Sequence, residues 1–201
     1  MIIGLTGSIG SGKSAVAEIA SGLGFAVVDC DKISHSINDD PEFVEGIIRI
    51  FGSDCIVDID GKKSVDRKAV SDKAFESKEN VRLLESVSYP VILARVKEQA
   101  SAAVAMGIPC IIDAPTLFQS GLNDYCDCTV GIVSDDKIRL NRAVIRGGLS
   151  EREIIARMAV QPSNDFYIEK CDYIIENNST LEDLKDSVTK LLSRINAGGE
   201  S

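Results

Sequence analysis

Short apolar runs alternate with longer amphipathic stretches along this chain. Ile2 to Leu5, Phe25 to Val28, Cys110 to Asp113, Thr129 to Val133 and Tyr173 to Ile175 are the strand candidates. Each is mostly apolar rather than alternating, as strands of a parallel sheet covered on both faces are. Helical patterns lie between them. Lys13 to Leu23 is Ala-rich and closes on Gly24, a good C-terminal glycine. Glu42 to Phe51 is expected as a short helix. Asn80 to Met106 is long and periodic, with Pro90 predicted to break or kink it. Ile138 to Arg146 stops at Gly147-Gly148, and Ser150-Glu151-Arg152-Glu153 reads as a capping box opening a helix to about Val160. From Thr180 onward, Leu181, Leu184, Val188, Leu191, Leu192 and Ile195 mark one face of a last helix. Ala197 to Ser201 is expected as a frayed tail.

The alternation predicts βαβ units and an α/β fold: a parallel five-stranded sheet flanked by helices. Residues 1–32, 107–138 and 171–196 suffice for this core, within a single domain of residues 1–201. Two stretches exceed it, at about 33–90 and about 139–161. Insertions of this kind carry substrate-binding subdomains and lids, so the first is expected as a helical substrate-binding insertion and the second as a lid.

Composition narrows the class. Of 201 residues, 44% are hydrophobic and 26% charged, which suits a globular protein. No apolar run has the length to span a bilayer, and Met1 to Thr6 reads as a first strand rather than a signal peptide. The expectation is a cytoplasmic protein with no membrane partner. The 22 basic and 31 acidic residues give a net charge of −9, against the basic footprint a nucleic-acid surface requires. Any phosphate-bearing substrate must find its positive field in a few local Arg and Lys residues. Six cysteines are scattered without a C-x-x-C pair, beside one His. That argues for reduced, mostly buried thiols rather than zinc.

The chemistry starts at Gly7-Ser8-Ile9-Gly10-Ser11-Gly12-Lys13-Ser14, which fits G-x-x-x-x-G-K-[ST] between a strand and a helix. Glycines let the backbone wrap with its N–H groups inward, and the helix N-terminus adds positive potential. Ser8, Ile9, Gly10, Ser11, Gly12, Lys13, Ser14 and Ala15 are the expected nucleotide-binding residues. Lys13 is expected on the β- and γ-phosphates and Ser14 on Mg²⁺. A GTPase reading lacks the guanine-specific Asn-Lys-x-Asp, and Asp58-Ile59-Asp60-Gly61 reads as a hairpin turn rather than a switch. In Asp29-Cys30-Asp31, after the second strand, an extended backbone would point both carboxylates the same way. Either accepts a proton from an attacking hydroxyl or caps the next helix. Asp113 sits like an acid that holds Mg²⁺ through water, or it begins a turn before Pro115.

Gly4 through Ser14, followed by Val28-Asp29-Cys30-Asp31, resembles the dephospho-coenzyme A kinase family. Asp113-Ala114-Pro115-Thr116-Leu117-Phe118 is similar to its D-x-P-L-L-F, and Arg139 through Arg146 to its lid arginines. Arg157 through Gln161 resembles its R-x-x-x-Q, and Cys171 through Asn178 its A-D-Y-V-I-x-N. The resemblance runs nearly end to end in one order. It implies a P-loop kinase that uses ATP and Mg²⁺ to phosphorylate the ribose 3′-hydroxyl of dephospho-coenzyme A. Asp31 is then the base, Lys13, Arg142 and Arg146 serve phosphoryl transfer, and Ser14 and Asp113 hold the metal. The chain departs from the family at His35, Tyr89, Gln119, Tyr167 and Glu169, and Arg67 falls at a recurrent family position. Another nucleotide or nucleoside kinase of this architecture is the alternative, followed by a nucleotide-binding regulatory module.

Overall fold

In the computed structural model, which describes residues 1–197, all five expected strands form one sheet in the order β2-β5-β1-β6-β7. They are β1 (Ile2–Gly7), β2 (Ala26–Asp29), β5 (Cys110–Asp113), β6 (Cys128–Val133) and β7 (Tyr173–Glu176). The central strand β1 pairs in parallel with β5, Ile2 opposite Cys110 and Leu5 opposite Asp113, and with β6, Ile3 opposite Cys128 and Gly7 opposite Ile132. On the far side β6 pairs in parallel with β7. A separate antiparallel hairpin joins β3 (Ile56–Ile59) to β4 (Lys62–Val65). Its turn is Asp60-Gly61, both at positive φ, so the aspartate-glycine pair is a hairpin turn as its sequence predicts.

The helices are α1 (Lys13–Gly22), α2 (Cys30–Ser36), α3 (Pro41–Phe51), α4 (Arg67–Ala74), α5 (Lys78–Ala105), α6 (Asp136–Arg146), α7 (Glu151–Val160), α8 (Asn164–Lys170) and α9 (Leu181–Asn196). Two compact units divide the chain. One comprises residues 1–28 and 100–201, the other 29–99, and the division falls within α5. In the first unit, Ile3, Leu5, Ile111, Val130 and Ile132 of the sheet form a core with Val16 and Ala20 of α1 and with Leu184, Val188 and Leu192 of α9. Leu181 lies outside that stripe, 68% exposed. In the second unit the buried set includes Ile33, Phe43, Ile47, Val65, Val70 and Val91.

Two expectations change. The α5 helix runs through Pro90 without a break. A proline removes the bond to the carbonyl four residues earlier, here that of Ser86. Both residues are exposed, so water can take the freed acceptor. Asp29-Cys30-Asp31 is not an extended segment, because α2 begins at Cys30 and Asp29 is its N-cap. Three helices, α2, α4 and α8, are too short for periodicity to reveal. Of the expected tail, Gly198 to Ser201 lies outside the described residues.

Candidate active site

The phosphate-binding sequence connects β1 to α1, as its spacing predicts. Among the described residues no side chain caps the first turn of α1, whose N-cap Gly12 is left-handed. Uncapped N–H groups at a helix start favour an anion. The loop is pressed from behind by its own chain. A Cβ on Gly10 (φ 76°) would fall 2.2 Å from the Arg139 carbonyl oxygen, and one on Gly12 (φ 100°) 2.1 Å from Asn177 Nδ2. Both glycines are therefore required by close approach as well as by left-handed backbone.

Several partners fix the loop. Asn177 Nδ2 donates to the Ser11 carbonyl at 2.7 Å. The Ile9 N–H donates to Gln161 Oε1 at 2.9 Å, and Ser8 Oγ donates to the Pro162 carbonyl at 3.0 Å, lying 3.5 Å from the Tyr167 hydroxyl. Tyr167 is 2% exposed. Burial raises its phenol above the ordinary value, against lowering by the Ser8 hydrogen bond and the Arg139 charge.

Lys13 ion-pairs with Asp113, so the phosphate lysine and the acid at the end of β5 meet directly. Ser14 is exposed on the first turn of α1. Arg142 is half-buried and donates to the Asn177 carbonyl at 2.8 Å. At longer range it reaches Ser134 Oγ, Asn177 Oδ1 and the Ser179 carbonyl. Arg146, one turn on, is exposed. Asp31 is exposed in the first turn of α2, its carbonyl accepting from Ser34 Oγ, whereas Asp29 caps that helix by accepting from the Lys32 N–H at 3.0 Å. Of the paired acids, one is thus a cap and the other is available to solvent.

Sequence reasoning missed Arg139 as a separate element of the site. It is 3% exposed, its Nε has no partner among the described residues, and its contacts to Asn164 Oδ1 and Asp136 Oδ1 are both 3.4 Å. A buried, under-satisfied cation beside a phosphate loop is a source of fixed positive potential. The available signal is its i, i+4 spacing to Ala143, the other buried residue of that helix. Asp172 serves the sheet. Its carboxylate accepts from the Thr129 N–H and hydroxyl at 2.8 and 2.7 Å, stapling the start of β7 to β6. The Cys126, Cys128 and Cys171 thiols are pushed by burial to about 12, about 11 and about 11, which leaves little thiolate for chemistry at neutral pH.

Within the second unit, a cavity of about 270 Å³ is walled by Ile37, Phe43, Val65, Val70 and Ile92, with Arg67 among its lining. Arg67 donates to the Ser34 carbonyl at 3.2 Å. His35 is exposed, and half-buried Tyr89 donates to Glu85 at 3.4 Å. Gln119 and Glu169 are exposed.

The sequence model of the dephospho-CoA kinase family matches residues 1–183. A curated dephospho-CoA kinase of Fusobacterium nucleatum is 37% identical over 195 residues, covering 97% of this chain and 98% of its own. The solved structure of a dephospho-CoA kinase from Campylobacter jejuni superimposes with a TM-score of 0.74 at 27% identity, covering 99% of this chain and 98% of that one. A shikimate kinase from Acinetobacter baumannii shares the fold, with a TM-score of 0.54 at 16% identity, covering 100% of this chain and 95% of that one.

Proposed function

The chain belongs to the dephospho-CoA kinase family, and from that premise we infer its reaction: ATP phosphorylates the ribose 3′-hydroxyl of dephospho-coenzyme A, giving coenzyme A and ADP, the last step of coenzyme A biosynthesis. The observation that carries this is the match of residues 1–183 to one family, with an intact phosphate loop between β1 and α1. The shared fold of a shikimate kinase shows why the loop and sheet alone do not name the acceptor.

Phosphoryl transfer is mostly positioning and charge neutralisation. Lys13, paired with Asp113, exchanges that carboxylate for the β- and γ-phosphates, and the loop from Ser8 to Ala15 supplies N–H groups other than those of Ile9 and Ser11, which are held by Gln161 and Ser8. Ser14 and Asp113 offer a hydroxyl and a carboxylate, hard oxygen donors of the kind Mg²⁺ takes while keeping several waters. They would hold the ion, which when bound neutralises phosphate charge. Asp31 accepts the proton of the attacking 3′-hydroxyl; its exposure and freedom from capping duty support that role. Arg142 and Arg146 serve as the arginines of a lid spanning about 139–161. Arg146 is the freer of the two, since Arg142 also braces the ends of β6 and β7. The segment 33–90 receives the acceptor, supported by the cavity beside Arg67, whose apolar wall with serine hydroxyls suits a pantetheine arm. The protein acts in the cytoplasm without nucleic-acid or membrane partners.

The test is an acceptor panel. Purified protein with ATP and Mg²⁺ is offered dephospho-coenzyme A, adenosine, AMP, CMP and shikimate in competition. Dephospho-coenzyme A is expected to dominate kcat/KM. Faster turnover of any other acceptor would refute the assignment.

A further inference from the structure

The peptide between Ser8 and Ile9 is pinned at both ends. Its N–H donates to Gln161 Oε1 at 2.9 Å, and its carbonyl accepts from the Ser11 N–H at 3.1 Å. A peptide plane has only these two polar handles, so one orientation is fixed. The adjacent Ser8 hydroxyl is tied to the Pro162 carbonyl. Two successive loop residues thus rest on two successive residues at the end of α7. Gln161 is also the C-cap of α7, its own N–H donating to the Arg157 carbonyl at 3.1 Å.

In a phosphate loop, inward carbonyls repel the anion that inward N–H groups attract. The Ser8 carbonyl is occupied by Ser11 only while the peptide keeps this orientation, and among the described residues the side-chain acceptor holding it from outside is Gln161. We propose that Gln161 is a positioning residue for ATP. It pins the Ser8–Ile9 peptide so that the loop is shaped before the phosphates arrive, and it ties that shape to the end of α7. The inference rests on the reading that the loop takes ATP phosphates. Pre-formed loops bind more tightly because the ordering cost is already met, so losing this acceptor acts on ATP affinity and not on the acceptor substrate.

Gln161→Met keeps the length of the side chain and removes the acceptor. The expected result is ATP dissociation, measured calorimetrically without acceptor, weakened by about three- to tenfold, the worth of one net hydrogen bond. With it, kcat and the KM for dephospho-coenzyme A stay within about twofold, Tm stays within about 2 °C, and exchange of the Ile9 amide hydrogen quickens. Gln161→Glu, which restores an acceptor, is expected to restore Ile9 protection. Its added negative charge keeps ATP binding weak at low salt and less so at high salt. ATP affinity unchanged in Gln161→Met would overturn the proposal. So would a parallel fall of Tm, kcat and both substrate affinities, the mark of a merely structural residue. If the unaltered protein does not bind ATP, the loop reading itself fails, and this proposal with it.

Discussion

Lys13 and Asp113 lie 100 residues apart in the chain and form one ion pair. Each was legible separately, the lysine from loop spacing and the acid from its place at a strand end. Their pairing required the parallel register that sets Leu5 opposite Asp113. Asp29 and Asp31 show the opposite case. The spacing suggests two equivalent carboxylates, but a helix starting at Cys30 makes Asp29 its cap and frees Asp31. Capping depends on where the helix begins, and a seven-residue helix leaves too little periodicity to find that point. If Asp31 is the base, Asp31→Asn is expected to lower kcat by at least about a hundredfold, the scale of general-base catalysis, while the ATP dissociation constant stays within about threefold. Lys13→Ala is expected to damage both. Steady-state kinetics beside calorimetry separate the two, and an Asp31→Asn enzyme with undiminished kcat would remove Asp31 from the reaction.

Elements with strong local signals were readable, and short or tertiary ones were not. The capping box at Ser150 is present in both directions, with Glu153 accepting from the Ser150 N–H at 2.8 Å. The Ser150 hydroxyl and backbone hold the Glu153 carboxyl below the usual carboxylate range. A second capping box at Thr180 uses Asp183 in place of the longer acid, which is why the Ser/Thr-x-x-Glu pattern passes over it. Helix α8 has seven residues and is placed by burial of Tyr167 rather than by propensity. Ser150→Ala is expected to cost about 1 kcal/mol of local helix stability. It should be read as about fivefold faster amide exchange in α7, with Tm changed by no more than a few degrees. Unchanged exchange would mean that tertiary contacts, not the cap, hold the helix.

At the scale of the molecule, the five strands and the helix packed on their core were implicit in five apolar runs and one amphipathic final helix, while the order β2-β5-β1-β6-β7 came only from the structure. The hairpin of β3 and β4 was readable only at its turn. The site was legible where one segment carries it whole, as in the loop from Gly7 to Ser14. It was hidden where separate segments converge, as Arg139, Gln161, Tyr167 and Asn177 do on that loop. Motif spacing marks Arg139, Gln161 and Asn177 and a departure marks Tyr167, but their contacts to the loop are not readable, because those partners lie far along the chain. Membership of the dephospho-CoA kinase family names the acceptor, and the loop supplies the phosphoryl chemistry. The most direct measurement of the central claim is the structure of the product. Dephospho-coenzyme A, ATP and Mg²⁺ are incubated with the protein, and the new phosphate is located by phosphorus NMR with coupling to the ribose protons. A single monoester on the 3′-oxygen, formed in equal amount with ADP, is the predicted result. Phosphate on any other oxygen, or ADP formed without a phosphorylated acceptor, would contradict it.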